Sequence, residues 1–369
     1  MLPRKELLCV GVLAGAMFFR MFGVFIILPV AALAAAALPD GSSGWMMGLV
    51  VGGYGITQAL MQIPTGVMAD RWGRKPVLIG ALLVFAAGGF VAAAADNVWE
   101  LIAGRLLQGS GAVAAVAAAW IADITAPERR ARAMLVYGAA IALAFTVSLP
   151  VAPPLAGWLG SSGLFALAGI LGVTSAVAVS LLPPPTAQAT NSDKNSAVTA
   201  AVWPYAAGAF VAHYVFSSLF LRLPAALNDF FPLAEHWRVY APALLAAIVI
   251  GVPIVIKERR FALPLAAVLL LPGAIMTIDS WLAATIGLTI FFTGFIIMEA
   301  QLPARASRTA PAQRRGEAMG VVMTAEFLGL FAGAAISGLI TDVAGETTAQ
   351  WVAALLIFCW FAIISRKKQ

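Results

Sequence analysis

Twelve predominantly apolar stretches run along the chain, at 7–37, 45–69, 76–95, 98–122, 133–158, 163–182, 202–227, 238–256, 261–278, 281–303, 317–341 and 348–364. Charged clusters, glycines and prolines separate them. Most hold the 17–25 residues that a helix needs to cross the hydrocarbon core, and the longer ones must tilt or protrude. The pattern predicts an all-α membrane protein with twelve transmembrane helices. The first stretch follows Arg4 and Lys5 and ends in an alanine run, as a signal peptide does. It is about twice the length of a signal's apolar region of about 7–15 residues, so it is expected to remain as a span.

The polar positions orient the chain. With both termini inside, the cytoplasmic segments of the first half carry Arg4, Lys5, Arg71, Arg74, Lys75, Arg129, Arg130, Arg132 and Lys194. Those of the second half carry Lys257, Arg259, Arg260, Arg305, Arg308, Arg314, Arg315, Arg366, Lys367 and Lys368. Nineteen of the 23 basic residues therefore fall on one side. Of the rest, Arg20, Arg105 and Arg222 lie within spans, and Arg238 lies at an outer loop. Such alternation is the positive-inside pattern, and it requires an even number of helices.

The longest polar stretch, PPPTAQATNSDKNSAVTA at 183–200, reads as a flexible linker. It predicts a six-helix bundle at 1–182, a cytoplasmic linker at 183–201 and a second six-helix bundle at 202–369. The halves echo each other weakly: RARAMLVYGAA from Arg130 resembles RGEAMGVVMTA from Arg315, at an offset of 185 residues. Alanine- and glycine-rich helices can produce such a match by chance, but repeated halves are also common in secondary transporters. Gly11 and Gly15, Gly48 and Gly52, and Gly329 and Gly333 have the four-residue spacing that lets helix backbones approach closely in lipid. Prolines such as Pro29, Pro64, Pro153, Pro154, Pro224 and Pro272 interrupt the spans, as they do in many membrane proteins.

Composition agrees: 62% of the 369 residues are hydrophobic and 11% are charged, against about 25% charged in soluble domains. The net charge of +6 is spread over short loops, so it speaks for orientation in a membrane and against a nucleic-acid partner. Cys9 and Cys359 stand far apart and form no disulfide framework. Two cysteines and two histidines are too few for most His/Cys metal sites.

The most specific signal is GVMADRWGRKP, at the turn between the second and third spans. Gly66, Asp70, Arg71, Gly73, Arg74 and Lys75 resemble motif A of the major facilitator superfamily in residue type and spacing. Gly66 leaves room for another helix. Asp70, at a cytoplasmic helix end, suits the positive N-terminus of a neighbour, which the resemblance identifies as helix eleven, beginning near Glu317. Asp123, at the cytoplasmic end of helix four, is the natural partner for Arg74. In the fourth span, Arg105 and Gln108 begin RLLQGSG, which is similar to motif B. The resemblance turns Arg105 toward a central cavity, whereas a snorkelling arginine near the outer surface is the alternative. APPLAG in helix five, with Pro153 and Gly157, occupies the place of the antiporter motif C, but two of its glycines are alanine.

FFRMFGVFIILPV, GYGITQALMQIP, AEHWRVY and IMEAQLP extend the resemblance to the YajR-like drug-efflux subgroup. Its namesake carries a soluble C-terminal domain, which this sequence, ending at Gln369 after the twelfth span, is expected to lack. The resemblance implies a proton-coupled exporter working by alternating access, with no cofactor beyond the proton. Its expected partners are a small-molecule substrate and the lipid of the cytoplasmic membrane, with the chain acting as a monomer. A proton-coupled importer or a facilitator is the alternative, because motif A does not record direction. A membrane enzyme or a receptor is a remoter one. No H-E-x-x-H, G-x-S-x-G or Walker A pattern supports either catalysis or ATP-driven transport.

Ionisable groups at membrane depth are functional candidates. At about 1.5 Å per residue, Arg20, His213 and Glu326 fall near the midplane of helices one, seven and eleven. Glu299 falls toward the cytoplasmic end of helix ten, and Arg222 toward the outer end of helix seven. Arg20 either lines a cavity opposite these titratable groups or pairs with a carboxylate. His213 is either a packing residue or a proton carrier, its unperturbed pKa of about 6.5 suiting the latter. Glu326 is the preferred proton site, because a carboxyl keeps or loses its proton as its surroundings change.

Overall fold

The computed structural model describes residues 3–185, 197–257, 261–311 and 314–366. Within them all regular structure is helical, with no strand. The helices are α1 (Arg4–Phe25), α2 (Ala31–Ala36), α3 (Gly44–Trp72), α4 (Arg74–Ala93), α5 (Val98–Ser110), α6 (Ala114–Ile124) and α7 (Pro127–Ser180). The second half adds α8 (Ala197–Leu227), α9 (Trp237–Ile256), α10 (Ala262–Leu269), α11 (Leu271–Ile275), α12 (Trp281–Thr309), α13 (Arg315–Ala344) and α14 (Glu346–Arg366). Much of the 183–201 linker, with Lys194, lies outside the described residues, as do Arg259, Arg260, Lys367 and Lys368.

Glycine and proline decide where these helices stop. The 54 residues of α7 contain two spans, divided at Gly160, whose φ of 68° and ψ of 174° lie outside the helical region. Expected spans five and six thus meet in a single-residue corner. Three other expected spans are not continuous helices. The first, at 7–37, breaks after Phe25 into turns around Pro29, which supplies no N–H and disfavours helix in the residue before it. The fourth breaks at Gly111, and the ninth at Leu270, just before Pro272. Among the described residues, ten segments are long and apolar enough to cross a bilayer, one of them the double-span α7, and Ala262–Ile275 is a shorter apolar one.

The chain forms two compact units, residues 1–30 with 60–191 and residues 31–59 with 192–369. In the first, α1 packs along α7, and α4 packs against α5 and α7. Backbones approach closely there, since a Cβ added to Gly89 of α4 would lie 2.7 Å from the Gly169 nitrogen of α7. In the second unit α8 packs against α13 and α9 against α12. Gly329 and Gly333 of α13 lie directly on the carbonyls of Phe210 and Tyr214. Gly48 and Gly52 lie on the α13 backbone around Ala334. The third small-residue pair departs from expectation. Gly11 and Gly15 have nothing within 4 Å of an added Cβ, so their spacing makes no helix contact.

Candidate functional site

The motif A residues assemble where α3 turns into α4. Gly73 caps α4 with φ at 94°, a conformation that side chains disfavour, and the turn closes without a further residue. Arg74 then begins α4, with its Nη1 2.5 Å from Asp70 Oδ1 and its Nε 3.2 Å from Asp123 Oδ2. One guanidinium therefore joins α3, α4 and the end of α6. The Asp70 carboxylate is 63% exposed, against 15% for that of Asp123, so the second pair is the better shielded. Lys75 donates to the Leu182 carbonyl at 2.6 Å, just beyond the end of α7. Arg71 lies in the last turn of α3, where its charge complements the helix dipole. Gly66, expected to receive another helix, borders open space, with nothing within 4 Å of an added Cβ.

Two arginines within the spans of the first unit, Arg20 and Arg105, are enclosed. Arg20 is fully buried, and its Nη2 donates to the Gly111 carbonyl at 3.3 Å while its guanidinium covers the Phe85 ring. That carbonyl is available because the fourth span breaks there, and a cation at a helix C-terminus is favourable. Arg20 thus caps a broken helix. Arg105 donates to Gln108 Oε1 at 2.8 Å, and both side chains are buried, which removes the snorkelling reading. Of the motif C-like positions, Pro153 is buried and Gly157 exposed.

The titratable candidates of the second unit come together on three helices. His213 of α8 places Nε2 3.7 Å from Glu299 Oε1 of α12, and Nδ1 3.0 Å from the Ala209 carbonyl. Its ring meets Phe295 edge-on. Glu326 of α13 lies within electrostatic reach of Glu299. The carboxyl, imidazole and second carboxyl form one linked set, and Glu299 stays 41% exposed.

Three polar features were not anticipated. Arg129 makes a two-pronged pair with Glu6 at 2.7 and 3.0 Å, tying the start of α7 to that of α1. Arg222 donates to the carbonyls of Gly273 and Met276 at 3.1 Å, capping the short α11 much as Arg20 caps α5. It also lies 3.7 Å from Glu346. Finally, Asp342 accepts from the backbone N–H groups of Gly44 and Trp45 at 2.7 and 2.8 Å. A cavity of about 710 Å³ in the second unit is lined by Arg222, Asp229, Ser337 and Glu346. Its lining does not include His213, Glu299 or Glu326.

Helix breaks capped by buried arginines, a charged turn after the second span and ionisable groups at membrane depth are features of a transporter. A family model described as Major Facilitator Superfamily matches residues 13–298. The chain belongs to the major facilitator superfamily. It is 34% identical over 368 residues to the inner membrane transport protein YajR of Escherichia coli, covering 95% of this chain and 81% of that one. It is also similar to a class C tetracycline resistance protein of E. coli, 32% identical over 157 residues, 42% of this chain and 39% of the relative. Among solved structures, a bacterial homologue of the lysosomal transporter Spinster aligns with a TM-score of 0.79 at 14% identity, over 99% and 98% of the two chains. The human organic anion transporter MFSD10 aligns with a TM-score of 0.71 at 16% identity, over 98% and 100%. As a superfamily member, the chain is a multi-pass membrane transporter.

Proposed function

We propose that the protein is a secondary active transporter that exports a small drug-like or metabolite molecule in exchange for protons by alternating access. The observation that carries this reading is the linked set of His213, Glu299 and Glu326 on three helices of one unit. Ionised carboxylates are costly in an apolar surrounding, and a neighbouring like charge makes the second one costlier. A proton bound to the set relieves both costs, and a change of solvation during the transport cycle would release it. The likeness to a tetracycline resistance protein supports a drug-like substrate. The basic residues support a cytoplasmic position for both termini, and the likeness to an inner membrane protein supports that membrane.

In this reading Asp70, Arg74 and Asp123 hold the cytoplasmic ends of helices closed in one state, and Arg105 with Gln108 faces the transport path. Purified protein in liposomes loaded with a pH dye tests the function, with a panel of organic cations, anions and neutral amphiphiles added outside. Substrate-dependent proton movement is the expected result. Substrate flux that leaves the dye unchanged at every pH gradient would replace the exchanger with a facilitator.

A further inference from the structure

The N-terminus of α3 is completed by a residue nearly three hundred positions away. A helix presents its first backbone N–H groups without internal partners. In α3 the Ser43 side chain accepts from Met46 N–H at 3.2 Å, as an N-cap does. The Gly44 and Trp45 N–H groups remain, and the two oxygens of Asp342 take one each, at 2.7 and 2.8 Å.

Asp342 belongs to the last turn of α13, which ends at Ala344. A carboxylate there opposes the dipole of its own helix, and only a partner such as the positive end of α3 offsets that cost. The helices are also shaped to meet. Gly338, one turn before Asp342, lies on the Gly44 backbone, Ala334 lies on Gly48 and Gly52, and a Cβ on Gly55 would be 2.7 Å from the Phe327 carbonyl. Glycine at 44, 48 and 52 removes every side chain from this face of α3, so Asp342 is carried to within bonding distance of its end.

We infer that Asp342 is a latch that holds the first half of α3 against α13 and stabilises the state closed at this end of the protein. The basic residues orient this end outward. The role rests on the alternating-access reading, in which the outer ends of helices separate once per cycle. Motif A occupies the opposite end of α3.

Distances between spin labels test the latch without using transport, so failure of the exchanger reading would leave the result interpretable. Labels go on Ser42→Cys and Thr348→Cys, both exposed positions, in a full-length chain carrying Cys9→Ser and Cys359→Ser, in lipid nanodiscs. The parent protein should show a dominant short-distance population. Asp342→Asn should move the ratio of short to long distances about tenfold toward long, and Asp342→Glu should restore part of it. Trp45→Pro removes one of the bonded N–H groups while leaving the carboxylate, and the first helical turn tolerates proline. It should shift the ratio in the same direction by a smaller factor. Unchanged distances in both Asp342→Asn and Trp45→Pro, with both proteins folded, would overturn the latch. So would a shift in Asp342→Asn toward a still shorter population.

Discussion

His213 Nδ1 lies 3.0 Å from the Ala209 carbonyl, and Nε2 of the same ring lies 3.7 Å from Glu299 Oε1. The carbonyl can only accept, so Nδ1 carries a hydrogen and the neutral ring presents its lone pair at Nε2 toward Glu299. A proton placed between the two groups is therefore shared by an acceptor on each side. At 3.7 Å the contact exceeds a direct hydrogen bond, so a small movement of either side chain is needed to make one.

Replacing His213 by glutamine removes the imidazole that faces Glu299 and keeps a polar side chain in its place. The transport rate of His213→Gln should lose much of the pH dependence that the parent shows across its active range, while substrate affinity changes less than threefold. Initial rates across that range, measured in liposomes, check this. A profile superimposable on the parent would demote His213 to a packing residue.

The Arg74 guanidinium serves two carboxylates of unequal exposure, and the two should separate under mutation. Asp123→Asn removes a shielded charged partner and should lower stability by about 1–3 kcal/mol, read as a fall in melting temperature in detergent. Asp70→Asn, at 63% exposure, should leave the melting temperature nearly unchanged but cut transport at least tenfold. A folded Asp70→Asn protein that transports normally would leave motif A as a helix-end contact without a gating role.

Close packing in the first unit predicts a contrast between two glycines on the same helix. A side chain at Gly89 would collide with the Gly169 backbone, whereas one at Gly80 meets nothing within 4 Å. Gly89→Val should destabilise by at least about 1–3 kcal/mol, the ordinary cost of overpacking, and lower the yield of folded protein. Gly80→Val should stay within about 0.5 kcal/mol of the parent. Size-exclusion profiles and thermal melts distinguish the two.

The spans and the motif A cluster were legible because each rests on a local signal. Spans need only a run of apolar residues, and Asp70, Gly73 and Arg74 sit within five positions. Asp123 could be matched to Arg74 because both fall at helix ends on the same predicted face. Pairings across long separations were not legible. Nothing near Glu6 marks it as the partner of Arg129, and nothing near Asp342 points to the start of α3. Hydropathy also averages over the breaks at Phe25, Gly111 and Leu270, so the contact of Arg20 with the Gly111 carbonyl at a helix break was not legible. Spacing alone could not separate the occupied glycine faces, at Gly48 and Gly329, from the open one at Gly11.

Orientation has its own test. Single cysteines at Asp40 and at Lys194, in a chain without Cys9 and Cys359, should react with an impermeant maleimide from opposite faces of the membrane. Asp40 should label in intact cells, and Lys194 only after permeabilisation. Labelling of both from outside would contradict the twelve-span arrangement.

Proton exchange through the Glu326 set is tested most directly by uphill transport in Glu326→Gln. Glutamine keeps the shape of a protonated carboxyl and cannot titrate. In liposomes with an imposed pH gradient, the parent should accumulate substrate against its concentration gradient. Glu326→Gln should bind substrate and exchange it downhill but fail to accumulate it. A Glu326→Gln protein that still concentrates substrate under the same pH gradient would contradict the account and move the proton to another group, with Glu299 next in line.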